Sequence, residues 1–247
     1  MKTDVTIPMP DGNARAFVFT PQTGKGPWPV ILFYMDGPAI RPALFEMGER
    51  MAQAGYYVLL PDMFWRLGAY PPIDLAVAFG SPEGRKTFRE TYFASTDPTR
   101  AMADTRVFLD WLADQPQAKS GARGVTGYCM GGGLALRTAA AFPEEIIAAA
   151  SFHPSNLATD EPDSPHLGAA KIKARVLVAG GDNDAGYDQA QNDRLAAALA
   201  EAGVEAEVSI WSGYLHGWVP TDMPIHNAEG AERHWRELMA LFDGALK

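Results

Sequence analysis

The sequence predicts an α/β fold, with a mostly parallel sheet covered by helices on both faces, on three observations. Short β-branched and aromatic runs alternate with longer stretches of helical spacing along almost the whole chain. Runs such as Val30–Met35 are continuously apolar, as expected of strands buried on both faces. The third is Gly127-Tyr128-Cys129-Met130-Gly131, which joins a strand-like run to a helix-like one by a sharp turn. A chain of 247 residues with 47% hydrophobic content can bury a full core. Folds of this class and length are commonly one domain, so residues 1–247 are read as one α/β domain.

The elements follow in order. Asp4–Met9 and Ala14–Thr20 form an opening hairpin around Pro10-Asp11-Gly12-Asn13, and Trp28–Met35 is a buried strand. Pro42–Ala54 has helical spacing and stops near Gly55, and Tyr56–Pro61 returns to a strand. Thr99–Gln115 is an amphipathic helix, followed by a strand ending at Tyr128 and a helix running to about Phe142. Strands Ile146–Phe152, Ala174–Ala179 and Ala206–Ser212 then alternate with helices Asp188–Ala202 and Ala228–Leu246. Two proline- and aromatic-bearing stretches break the rhythm, at about 62–95 and 153–170. Neither has linker composition. Long insertions after strand C-termini are where α/β proteins build lids and pockets, so the substrate mouth is placed there.

Composition narrows the function classes. One cysteine rules out an internal disulfide framework, and the opening Met1–Pro8 lacks a signal-peptide apolar core. No apolar run approaches the roughly 20 residues that span a bilayer. A reducing, cytoplasmic setting with no membrane partner is expected. Net charge is −9 with no block of like charges, which argues against nucleic acid as a partner.

Cys129 occupies the nucleophile slot of a Gly-x-nucleophile-x-Gly elbow. The strained turn brings residues 127 and 131 together, so glycine is needed at both. It also lifts the sulfur clear of the sheet at a helix N-terminus, where unpaired N–H groups favour thiolate over thiol. An α/β-hydrolase places its acid and then its histidine in later strand-to-helix loops. Of the five histidines, His216 in Gly213-Tyr214-Leu215-His216-Gly217-Trp218 follows the last strand, whereas His234 falls within the final helix as a surface or packing residue. No histidine pair has the close helical spacing of a zinc motif, so no metal is expected. The acid is left open between Asp182 and Asp184, both in the loop after Val176–Ala179.

These residues resemble the dienelactone hydrolases, cysteine-dependent members of the α/β-hydrolase superfamily, from about Trp28 to Phe242. The family elbow Gly-Tyr-Cys-x-Gly-Gly matches Gly127–Gly132, and its Gly-x-x-Asp acid motif matches Gly181-Asp182-Asn183-Asp184. The resemblance therefore implies Asp184 as the acid. His216-Gly217-Trp218 matches the family's histidine followed by a small residue and an aromatic. It further implies an oxyanion hole from the backbone N–H groups of Gly37 and Met130. Asp36 stands where the family has a glutamate touching the resting nucleophile, with the charge kept and the arm shortened. The implied activity is cofactor-free hydrolysis of a small ester or lactone through a Cys129–His216–Asp184 triad and a thioacyl intermediate.

The 62–95 stretch, from Phe64 and Trp65 through Tyr70 to Tyr92 and Phe93, is expected to flank this site as a lid. His153 and Trp218 are further candidates for the pocket wall. Family members that act on dienelactone bind its carboxylate through arginines, one of them four residues after the histidine. Here that position is Pro220, so uncharged esters or lactones are the expected substrates; Arg41, Arg85 and Arg89 are the other arginines within reach of the insertion and Asp36. A monomer or small homo-oligomer is expected. Competing readings are a thioesterase or dehalogenase on the same fold, a redox sensor using Cys129, and a non-catalytic ligand-binding protein.

Overall fold

The computed structural model describes all 247 residues. Eight strands form one sheet: β1 (Lys2–Met9), β2 (Gly12–Phe19), β3 (Trp28–Tyr34), β4 (Tyr57–Pro61), β5 (Ala118–Tyr128), β6 (Ile146–Phe152), β7 (Arg175–Asn183) and β8 (Ala206–Leu215). Their spatial order is β1-β2-β4-β3-β5-β6-β7-β8. The β1–β2 and β2–β4 pairs are antiparallel, and every pair from β4 onward is parallel. The all-apolar composition of β4 has its cause here, since every residue of that strand is buried under helices.

Helices α1 (Pro42–Gln53) and α7 (Ala228–Leu246) share one face, tied by Arg50 to Glu232 and by the Arg50 guanidinium over Trp235. On this face Phe242 and Leu246 close over Gly124 of β5, where a Cβ would lie 2.7 Å from the Phe242 ring. Helices α4 (Pro98–Ala113) and α5 (Met130–Ala141) cover the other face, where the buried Tyr34 hydroxyl bonds Thr105 and Thr138 and ties both to β3. Helix α6 (Gln189–Glu201) packs beyond them beside β8. No helix is long and apolar enough to cross a membrane.

Observed strands β5, β7 and β8 extend beyond the runs read from the sequence. Residues 118–122 of β5 are mostly exposed and polar, so they carry no apolar signal. The 62–95 insertion also holds more helix than its prolines suggested: α2 (Leu75–Phe79), α3 (Pro82–Thr91) and two 3-10 turns at Trp65–Leu67 and Phe93–Thr96. Pro82 sits at the first turn of α3 behind the Ser81 cap, and Pro98 does the same behind Asp97 in α4. At that position proline starts a helix rather than breaking one, because the N–H it lacks would have no intrahelical acceptor. In the second insertion only Pro165–Lys171 is regular, as a 3-10 stretch.

Candidate active site

Loops at the C-terminal ends of β3, β5, β6, β7 and β8 converge on Cys129. The elbow is as tight as its glycines imply: a Cβ at Gly127 would lie 1.9 Å from the Gly131 carbonyl oxygen, and one at Gly131 would lie 2.4 Å from the Met35 carbonyl. No side chain fits at either place. Cys129 caps α5 with φ 55° and ψ −119°, a conformation that costs an L-residue energy and persists only where its surroundings force it. The four non-glycine residues with positive φ are Ala39, Cys129, His153 and Asn156, all in loops after β3, β5 and β6. Backbone strain is thus confined to the site.

His216 follows β8 and donates through Nδ1 to Asp184 Oδ2 at 2.7 Å. That bond fixes the tautomer and leaves the other ring nitrogen free, with Cys129 near enough to raise the histidine. Burial works against the charged imidazolium, but the Cys129 and Asp184 charges and hydrogen bonds outweigh it and push His216 up to about 11. Asp184 is almost wholly buried, and its second oxygen accepts from the Gly186 amide at 2.8 Å. Asp182, two residues earlier, is exposed and points elsewhere. It accepts from Ser212 Oγ at 2.7 Å and the Gly213 amide at 2.9 Å, bracing the bend near the end of β8. Of the two carboxylates left open by spacing, Asp184 is therefore the one that meets the histidine.

His153 lies fully buried at the end of β6, its ring 5.4 Å from His216 and 5.2 Å from Trp218. Neither of its ring nitrogens has a partner. Burial, then the neighbouring His216, pushes it well below the usual histidine range, so it is neutral. Trp218 is buried too, stacked on Tyr214 at 5.4 Å, and supports His153 from within the core. His234 bonds the Tyr128 hydroxyl at 2.6 Å behind the elbow and is a packing residue.

Asp36 is also buried, and burial raises its carboxyl against the pull of Arg41. Arg41 binds it through both terminal nitrogens and binds Asp222 through Nε and Nη2. With a further bond from Nη1 to the Ala39 carbonyl, all five guanidinium donors are used within the protein. Arg85 is exposed and donates through Nη1 to the Phe79 carbonyl, and Pro220 offers no donor.

The insertion lies over Gly37 in the loop after β3. A Cβ at Gly37 would lie 3.5, 3.7 and 3.9 Å from the rings of Phe79, Phe93 and Phe88. Tyr92 stacks on Phe88 at 4.7 Å, and Tyr70 meets Tyr92 edge-on at 5.9 Å while donating to Asp62. Trp65 sits apart from this cluster, against Gly12 of the opening hairpin, with its indole N–H on Asp104. Phe79 and Phe88 were not among the candidates read from the sequence. The Ser81-Pro82 start signal would have placed Phe88 on one helical face with Tyr92, four residues on, whereas Phe79 belongs to the preceding α2.

The dienelactone hydrolase family model matches residues 14–246. The chain belongs to the dienelactone hydrolase family. It is accordingly a hydrolase with the α/β-hydrolase fold. Among relatives of this family, carboxymethylenebutenolidase from Rhodococcus opacus is 28% identical over 251 residues, covering 99% of this chain and 90% of that protein. The structure of dienelactone hydrolase from Anabaena variabilis superposes with a TM-score of 0.69 at 21% identity, covering 100% of this chain and 99% of that one. A dienelactone hydrolase-like promiscuous phosphotriesterase from metagenomic libraries superposes with a TM-score of 0.80 at 18% identity, covering 100% and 99%. At these identities the two structures speak for the fold.

Proposed function

We propose that this family member hydrolyses small uncharged esters or lactones with Cys129 as the nucleophile. The observation that carries the reading is His216 hydrogen-bonded to the buried Asp184 carboxylate beside Cys129, at an elbow with no room for another geometry. The Cys129 thiolate attacks the acyl carbon, forming a C–S bond, and the oxyanion takes hydrogen bonds from the amides of Gly37 and Met130. Met130 is the first residue of α5, so its N–H has no intrahelical acceptor and is free for this use. The acyl C–O bond breaks, and the leaving oxygen takes the His216 proton. Neutral His216 then removes a proton from water, whose oxygen attacks the thioester, and the C–S bond breaks to restore the thiolate and the protonated histidine.

Two features support an uncharged substrate. Arg41 has no donor left for a carboxylate, and Pro220 stands where a carboxylate-binding arginine would be useful. The aromatic insertion serves as the lid over Gly37, within one α/β domain spanning the chain. A reducing cytoplasm suits a working thiol, and neither metal nor cofactor is required.

The test is Cys129→Ala assayed on p-nitrophenyl acetate. Loss of at least about a thousandfold in kcat/KM with unchanged folding supports the reading. Wild-type turnover in that variant contradicts it. Cys129→Ser should be a poor replacement, because a hydroxyl is far harder to ionise than a thiol.

A further inference from the structure

The rings over Gly37 separate the oxyanion loop from a second space. Phe88 faces the Gly37 side with one edge and, together with Tyr92, lines a solvent-facing cavity of about 510 Å³ between α2 and α3. Pro71, Ile73, Val77 and Ala78 supply further walls. That volume falls within the range of about 300–1,000 Å³ usual for small-molecule pockets. Its two charged lining residues, Asp74 and Glu83, are both acidic, so it repels an anion and suits an apolar group. Val77 is 69% exposed on a five-residue helix, an apolar side chain for which the insertion provides no cover of its own.

We propose that this cavity is an acyl subsite, which takes the unbranched apolar chain of an ester whose carbonyl lies at Gly37. The proposal rests on ester hydrolysis at Cys129. The leaving oxygen has to face His216, which protonates it, so the substituent left to face the rings over Gly37 is the acyl chain. Phe88 is the wall common to both spaces. Its ring packs against those of Phe64, Phe79, Tyr92 and Phe93 with no hydrogen bond to fix its angle, so turning this one side chain joins the cavity to the site. The acid end of a dicarboxylate would meet Asp74 and Glu83, so diacid monoesters are excluded from the same path.

The experiment is kcat/KM for p-nitrophenyl acetate, butyrate and hexanoate with the wild-type protein and with Thr87→Trp, which fills the cavity from its exposed wall on α3. Burial of a methylene is worth up to about fourfold, so hexanoate should exceed acetate by at least about tenfold in the wild type. In Thr87→Trp that ratio should fall by at least about fivefold. Acetate turnover with a flat or falling series, or a ratio unchanged in Thr87→Trp, overturns the subsite and leaves the nucleophile assignment standing. Failure of the wild type to hydrolyse any of the three esters overturns the assignment of Cys129 and the subsite with it.

Discussion

At the floor of the site, a Cβ added at Gly127 or Gly131 would lie 1.9 or 2.4 Å from a backbone oxygen, whereas the atoms nearest Gly37 in the roof are three ring carbons 3.5 to 3.9 Å away. The floor consists of short turns whose backbone leaves one geometry, and a strained Cys129 is its outcome. The roof consists of rings in mutual contact, most of them edge-on and Phe88 and Tyr92 stacked, with two acidic anchors near its start. Asp62 receives Arg15, Tyr70 and the Phe64 amide, and Asp104 receives Trp65 and Arg66. Ring contacts of this kind tolerate rotation, and backbone contacts do not. The difference assigns the two regions different work: chemistry needs a reacting atom fixed to a fraction of an ångström, and substrate choice needs a wall that yields.

Substitutions that attack one region and spare the other sharpen this contrast. The largest effect is expected at Asp184→Asn, which keeps the shape but removes the acceptor that sets the His216 tautomer. Activity should fall by about a hundred- to ten-thousandfold with nearly unchanged stability. Gly131→Ala should damage the floor itself. Its methyl drives into the Met35 carbonyl just before the oxyanion loop, so unfolding in urea should show a loss of about 1–3 kcal/mol together with lowered kcat. In the roof, Phe93→Ala should raise KM by about three- to tenfold and leave kcat within about threefold, because it removes a wall and no reacting group. A fall in kcat as deep as that of Asp184→Asn would erase the distinction between floor and roof. The smallest effect belongs to Asp182→Asn, whose partners Ser212 and Gly213 only brace the bend in β8; activity should stay within about threefold of wild type.

The floor was far more legible in the sequence than the roof, for the same physical reason. Turns that admit only glycine leave Gly127, Gly131 and the elbow spacing in plain sight, and Ile146–Phe152 and Ala228–Leu246 match the observed elements end to end because their periodicity is unbroken. Asp184 and Asp182 were not separable by spacing, since which carboxylate turns inward is decided by the Ser212–Gly213 bend thirty residues away. The resemblance implies Asp184 as the acid, and it is Asp184 rather than Asp182 that hydrogen-bonds His216. The roof hid its helices behind prolines that start them. The sharing of Arg41 between Asp36 and Asp222 was not legible either, because one partner lies five residues away and the other across the fold.

The most direct test of the proposed site, in which Cys129 works beside a His216 oriented by Asp184, is an NMR titration of the His216 imidazole in the wild type and in Cys129→Ser. A histidine raised above its unfolded value stabilises the fold fully below the unfolded pKa of about 6.5 and loses that contribution as pH climbs through the folded one. In the wild type the imidazolium should therefore persist until the pH nears about 11. In Cys129→Ser, which lacks the neighbouring sulfur that helps to raise it, its midpoint should fall by several units toward the ordinary histidine range. Equal midpoints in the two proteins would contradict the account, since Cys129 would then have no part in raising the histidine.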